Sequence, residues 1–175
     1  MAPVALPSTQ ECLHRDIRAF AITEEEEKTH EAMMVFPIYQ QAIDVARYVV
    51  SKRLNSDRKL KHTALGEKMY SLCKTAELKH ELFFKGIGAR LNLDRANFRE
   101  TFVGVIQELF RDKANFGRFV SLYTFCIVIA EYCEQNDMSD LVESTVRITA
   151  ESVYAQRGWL LQHDNFVSSP IFFLS

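Results

Sequence analysis

The chain contains few of the residues that favour tight turns. Only six of its 175 residues are glycine and four are proline, fewer than a protein built from hairpins requires. Charged and long apolar side chains, which suit α-helices, are plentiful by comparison. Hydrophobic residues make up 47% of the chain, and its length suits one domain with a buried core better than two. The composition therefore predicts a single domain built from helices.

A large net charge and a long apolar run are also missing. The formal net charge at pH 7 is -2, and the one basic cluster, residues 52–61, is also typical of a solvated linker, so no nucleic-acid partner is indicated. No uninterrupted apolar run reaches the ~18 residues that span a bilayer. An apolar run does begin within residues 170–175, which is compatible with a membrane anchor beyond residue 175 that is missing from the chain.

Cysteines are too few and too dispersed for a disulfide framework. The four thiols belong to Cys12, Cys73, Cys126 and Cys133, with no C-x-x-C pair among them. The chain does not start with a secretory signal sequence. We therefore expect buried, reduced thiols in an intracellular protein.

The sequence lacks catalytic motifs, which indicates a non-enzymatic protein. One metal-binding pattern is the exception. The sequence has no G-x-S-x-G motif, no glycine-rich phosphate loop and no cysteine beside an evident base. Two Glu-x-x-His pairs, Glu27 with His30 and Glu77 with His80, have the spacing of a di-iron carboxylate site. Such a site needs further inward-facing carboxylates, and the apolar helix at 116–133 supplies only Glu131. We expect His80 to be a core histidine and predict a non-enzymatic protein without a metal or a cofactor.

Helical periodicity runs through most of the chain. Apolar residues recur every three or four positions, which predicts amphipathic helices. Residues 116–133 are instead apolar almost all round from Phe119 onward, so this helix must be surrounded by other helices or by lipid. The prediction is an all-α globular bundle of about seven to eight helices around a hydrophobic central helix. The other predicted helices cover 34–54, 63–84, 98–110 and 140–154, with shorter pieces at 87–91 and around Trp159 and Phe166.

A specific motif begins at the end of the 98–110 helix. Positions 108–120 carry Glu-Leu-Phe-Arg-Asp-Lys-Ala-Asn-Phe-Gly-Arg-Phe-Val. They resemble the first homology motif of the Bcl-2 family, E-L-F-x-D-x-x-N-W-G-R followed by a hydrophobic residue and valine. Phe116 stands where that motif has tryptophan.

Two further segments are similar to motifs of the same family, with departures. Residues 158–166 resemble the second homology motif, W-I-x-x-x-G-G-W, through Trp159 and Leu160, whereas Asp-Asn-Phe replaces its Gly-Gly-Trp. The BH3 motif, L-x-x-x-G-D, places Met69 at the leucine, Cys73 at the glycine and Lys74 at the aspartate. These departures indicate a divergent member, and viral and invertebrate origins are both compatible with them.

The resemblance implies a domain organisation. Residues 1–33 form an N-terminal extension that can carry a short helix, and residues 34–173 form the Bcl-2-like helical domain. The helix at 34–54 resembles the loose fourth motif of the family.

The resemblance also implies a hydrophobic groove that accepts an amphipathic BH3 helix from a pro-apoptotic partner. By carry-over, Arg118 pairs with the aspartate of the ligand, Gly117 allows close approach of its backbone, and Asn115 makes hydrogen bonds beside them. Ordinary core packing is an equal alternative for three of the apolar residues, namely Leu109, Val120 and Phe125. The full apolar set assigned to the pockets is Phe84, Ile87, Leu91, Val105, Leu109, Val120 and Phe125.

The direction of binding separates survival-promoting members, which capture BH3 helices, from executioners, which donate their own. Lys74 would oppose the arginine of a groove with like charge, so the resemblance implies a survival-promoting protein. A Bak-type, membrane-permeabilising executioner is the alternative, indicated by the spacing around Leu65 and Gly66 and by the glycine-free linker. A scaffold without a groove is the third interpretation.

Partners and location follow from the same resemblance. A Beclin-type autophagy protein is a further candidate partner, and the missing C-terminal tail would contact a membrane. The implied location is intracellular, in the cytoplasm and at the outer mitochondrial or another intracellular membrane.

Overall fold

The computed structural model describes residues 37–56 and 63–163, and these ranges contain helices and no strand. The all-α bundle predicted from the sequence is confirmed. The predicted N-terminal extension and the short helix around Phe166 lie outside the described residues. In chain order the α-helices are α1 (37–53), α2 (Ala64–Lys79), α3 (Glu81–Phe84), α4 (Ile87–Arg90), α5 (Phe98–Phe110), α6 (Phe116–Gln135), α7 (Val142–Ala155) and α8 (Arg157–Gln162), with a 3-10 turn at Ser139–Leu141 before α7.

Helix α6 forms the centre of the bundle because it is apolar on every side. Phe119, Leu122 and Tyr123 have no exposed surface, and α2, α4, α5 and α7 all contact this helix. By length and composition α6 could also cross a membrane, with a mean hydropathy of 1.3, but 61% of that window is buried inside the protein. Other helices therefore surround α6, which confirms the predicted central helix.

Aromatic rings connect α5 and α8 to this central helix. The ring of Phe102 stacks between Phe98, at 5.7 Å, and Phe125 of α6, at 4.9 Å. At the other end, Phe119 contacts the indole of Trp159 with ring centroids 5.4 Å apart. Each buried aromatic side chain stabilises the fold by about 1.5–3 kcal/mol through removal of apolar area from water. Ring contacts thus attach both α5 and α8 to the central helix.

The single helix predicted over 63–84 is divided in two. Helix α2 ends at Lys79, His80 takes φ -120° and ψ 35°, and α3 continues for one turn. The prediction of a core position for His80 was wrong, because this residue is exposed at the break. Arg90 stabilises the new chain direction, since its guanidinium donates to the carbonyl of Leu82 at 3.0 Å and to that of Phe83.

Three of the four cysteines are buried, as the sequence predicted. Cys73, Cys126 and Cys133 are buried and free, while Cys12 lies outside the described residues. Burial raises the pKa of the Cys73 and Cys126 thiols to about 12 and that of Cys133 to about 11. All three are therefore protonated at neutral pH and are poor nucleophiles.

Two adjacent basic residues of α1 hold both ends of α2. Lys52 forms an ion pair with Glu67 in the first turn of α2, and Arg53 forms one with Glu77 in its last turn. Arg53 also reaches α6, with its Nη1 3.3 Å from Oε2 of Glu131. One guanidinium therefore joins three helices.

Replacing Arg53 by alanine is expected to lower the free energy of unfolding by about 1–2 kcal/mol, because two carboxylates would lose their shared counter-ion. The Arg53 side chain is only 20% exposed, so the effect lies between those of exposed and buried ion pairs. Urea denaturation measures it. Arg47→Ala is the matched control, because Arg47 pairs with Glu143 at the surface and should cost less than about 0.5 kcal/mol. Equal losses in the two variants would contradict the prediction.

Candidate functional site

A groove lies between the short helices α3 and α4 on one side and α5 on the other, with α6 beneath. Its volume is about 840 Å³, within the range of sites that enclose small ligands or several side chains. Most of its lining is apolar, and its polar members stand at the rim and along α6. The lining residues are His80, Phe83, Phe84, Ile87, Arg90, Leu91, Gly104, Val105, Ile106, Glu108, Leu109, Ser121 and Phe125.

Six of the ten site residues predicted from the sequence line this groove. Three of them are buried and form its deepest part: Phe84 and Phe125, each 3% exposed, and Ile87, 4% exposed. The other three, which are partly buried, form the walls nearer to solvent. These wall residues are Leu91, Val105 and Leu109.

The remaining four predicted residues do not line the groove but lie at the start of α6. Val120 is buried, and its carbonyl oxygen lies 3.9 Å from Sγ of Cys73 in α2, so it serves the contact between α2 and α6. Gly117 is exposed, and a Cβ there would meet only Oδ1 of Asn115, at 3.5 Å. The space above Gly117 is therefore open to an approaching backbone.

Asn115 and Arg118 are joined through the first turn of α6. Asn115 is the N-cap, and its Oδ1 accepts a hydrogen bond from the backbone N–H of Arg118 at 3.0 Å. This bond satisfies one of the free donors at the helix start and is typically worth about 1 kcal/mol. The guanidinium of Arg118 contacts Asp112 and the carbonyl of Lys113. Both residues are therefore held in place before any ligand arrives.

Arg118 belongs to the same face of α6 as the groove floor. Ser121 follows it by three positions and Phe125 by seven, which is the spacing of one helical face. Both of those residues line the groove. Arg118 consequently precedes Ser121 on this face of α6 by about one helical turn.

Sequence reasoning did not assign seven of the lining residues to the groove. Gly104 leaves space on α5, since nothing lies within 4 Å of a Cβ built there, and Ser121 carries no apolar signal. Gly104 lies four positions before Glu108 in α5, and Ser121 lies four positions before Phe125 in α6. This spacing is the signal that places both residues on the groove faces of their helices. The other residues missed are His80, Phe83, Arg90, Ile106 and Glu108.

The metal-binding alternative finds no support in the described part of the chain. No group of three or more metal-ligating side chains occurs within 37–56 and 63–163. Glu77 pairs with Arg53 and His80 lies at the groove rim, while Glu27 and His30 lie outside the described residues.

Comparison with known families decides the classification. The model of the apoptosis regulator proteins of the Bcl-2 family matches residues 69–165, which is more than half of the chain. The chain belongs to the Bcl-2 family. The resemblance found in its motifs is thereby confirmed, and the family is one of apoptosis regulators, which are not enzymes.

Individual relatives match over shorter segments. The apoptosis regulator Bcl-2 homolog of African swine fever virus (isolate Pretoriuskop) is 36% identical over 64 residues, or 35% of each chain. Apoptosis regulator R11 of Xenopus laevis is 28% identical over 71 residues, or 41% of this chain and 35% of that one. The matched segments thus span about a third of the length of these curated relatives.

Solved structures of the family share the fold. The Trichoplax adhaerens protein trBcl-2L2, bound to trBak BH3, superposes with a TM-score of 0.67 at 23% identity and covers 79% of this chain and 96% of its own. Chicken BOK superposes with a TM-score of 0.66 at 19% identity, covering 75% of this chain and 93% of its own. Both confirm the Bcl-2 arrangement of helices around α6.

Proposed function

We propose that the groove binds an amphipathic BH3 helix of a pro-apoptotic partner and that the protein promotes survival by sequestering that partner. The observation that carries this proposal is the position of Arg118, about one helical turn before Ser121 on the face of α6 that lines an open apolar groove. A helix that places apolar residues in the groove can present a carboxylate to this guanidinium. The arrangement meets the requirements of helix-in-groove recognition.

The apolar groove can supply enough free energy to bind such a helix. Each apolar side chain that a ligand buries contributes about 1.5–3 kcal/mol, and a groove of about 840 Å³ has room for several. These gains must exceed the cost of association and of ordering the peptide, commonly several kcal/mol. Submicromolar affinity is therefore within reach of the groove.

The solved complex of the Trichoplax relative gives support by analogy. That protein is bound to trBak BH3 and shares the fold of this chain. Because folds host different functions, the argument for this chain rests on its own groove and charges.

The burial of α2 favours a protein that binds the BH3 helix of a partner over one that donates its own. Met69 and Cys73 of its BH3-like segment are each 1% exposed, and Lys74, at the position of the motif's aspartate, points to solvent. Lys52 and Arg53 tie both ends of this helix to α1. A donor must release this helix, and its lysine would then meet the groove arginine of an acceptor with like charge.

Titration of the purified chain with BH3 peptides in a calorimeter tests the proposal. We expect submicromolar binding, on the order of -8 kcal/mol, by at least one peptide. Arg118→Ala should weaken it by about tenfold, because a charge-assisted hydrogen bond is lost. Replacing the aspartate of the peptide by asparagine should weaken binding to the wild type and have little further effect on the variant.

Arg99→Ala is the matched control, because Arg99 is 74% exposed on α5 and only approaches Glu151, at 3.9 Å. It should leave peptide affinity unchanged. Failure of every BH3 peptide to bind would overturn the proposal. Dye release from lipid vesicles would then test the Bak-type alternative, and the location and the Beclin-type partner predicted from the sequence would lose their basis.

A further inference from the structure

The guanidinium of Arg118 is already engaged within the chain. Its Nη2 lies 3.1 Å from Oδ2 of Asp112, and its Nη1 donates to the carbonyl of Lys113. The Arg118 side chain is 24% exposed, whereas that of Asp112 is 69% exposed. Asp112 is thus the more exposed partner of this ion pair.

The location of this ion pair explains why Asp112 is bound there. Arg118 stands in the first turn of a helix of 20 residues, where the helix dipole disfavours a positive charge. The carboxylate of Asp112 offsets both the guanidinium and the dipole. A ligand carboxylate would be attracted to the same place for the same two reasons.

Two carboxylates at one guanidinium repel each other. Like charges a few ångströms apart repel each other weakly in water and more strongly near a protein surface. Asp112 has a second cation within reach, since the Nε of Arg111 lies 4.0 Å from its Oδ1. It can therefore turn away from Arg118 without losing every favourable charge interaction.

We propose that Asp112 determines ligand specificity by competing, as an internal carboxylate, with the ligand's aspartate for Arg118. This inference rests on the proposed function. An acidic ligand gains less binding free energy from Arg118 than it would if Asp112 did not occupy the guanidinium. The apolar face of the ligand helix must therefore supply most of the affinity. Asp112 thereby disfavours peptides that are acidic but fit the groove poorly.

The test is calorimetric titration of Asp112→Asn with two peptides, one carrying the BH3 aspartate and one with asparagine in its place. The variant keeps the shape of the side chain, and the Lys113 carbonyl still orients Arg118. We expect the aspartate peptide to bind about two- to fivefold more tightly than it binds the wild type, the range that exposed ion pairs contribute. The asparagine peptide should bind equally to both proteins, and the gain should shrink at high salt.

Glu134→Gln is the control, because it removes one negative charge from an exposed residue near the other end of α6. It should leave both affinities unchanged. Weaker binding by Asp112→Asn, or an equal change for both peptides, would overturn the competition and make Asp112 a positioning residue. If neither peptide binds wild type or variant, the proposed function itself fails and this inference falls with it. Thermal unfolding of each variant verifies that the fold is retained.

Discussion

Phe102→Ala is expected to lower the free energy of unfolding by about 3–5 kcal/mol, the range for truncation of a buried phenylalanine. Phe102 has no exposed surface, and its ring stacks on Phe98 and Phe125 at interplanar angles of 20° and 24°. The variant loses the buried area, leaves a cavity and loses both stacking contacts. Domains of this kind are commonly stable by only about 5–15 kcal/mol, so much of the total would disappear.

Denaturation in urea, followed by circular dichroism, measures this loss. Phe83→Ala is the matched control, because the same side chain is removed where it is 55% exposed at the groove rim. We expect the control to cost less than about 1 kcal/mol. Similar losses in the two variants would show that the aromatic stack is not a main source of stability.

Gly88→Ala is expected to cost about 2–3 kcal/mol, although it adds a single methyl group. A Cβ at Gly88 would lie 2.4 Å from Cγ of Tyr132 and 2.7 Å from both Cδ atoms. These atoms are the inner part of a ring whose hydroxyl donates to the carbonyl of Leu93 at 3.4 Å, so the ring has little room to move. Helix α4 must then shift away from α6, and overpacking of this kind typically costs about 1–3 kcal/mol.

Gly104→Ala should instead raise the free energy of unfolding. Nothing lies within 4 Å of a Cβ at this position in α5, and alanine in a helix interior is favoured over glycine by about 0.5–1 kcal/mol. Urea denaturation of the two variants compares these effects directly. Adding Tyr132→Ala should reduce the cost of Gly88→Ala, and a double variant without any such coupling would contradict the steric explanation.

The sequence predicted the parts of the fold that depend on local pattern. The apolar periodicity of 98–110 coincides with α5, and the all-round apolar stretch identified α6 to within two residues at its end. The division of the 63–84 segment was missed because the contact that supports it comes from outside the segment. Arg90 bonds the carbonyls of Leu82 and Phe83, and no periodicity within 63–84 reports that contact.

Only part of the candidate site could be predicted from the sequence. Apolar residues such as Ile87 and Phe125 were identified by motif and spacing, and both line the groove. Gly104 and Ser121 carry no hydrophobic signal and were missed. The competition at Arg118 could not be predicted, because it requires the turn of residues 111–115 to bring Asp112 back to within 3.1 Å of the guanidinium.

Arg90 supports the groove wall through main-chain atoms. Its guanidinium binds main-chain oxygens of residues 82 and 83, which every amino acid supplies. Substitutions at these two positions therefore change the surface offered to a partner without deleting the bonds that hold the wall. Leu82 is 90% exposed, so core packing constrains its side chain little. The side chains of α3 can accordingly change while the main-chain bonds to Arg90 remain.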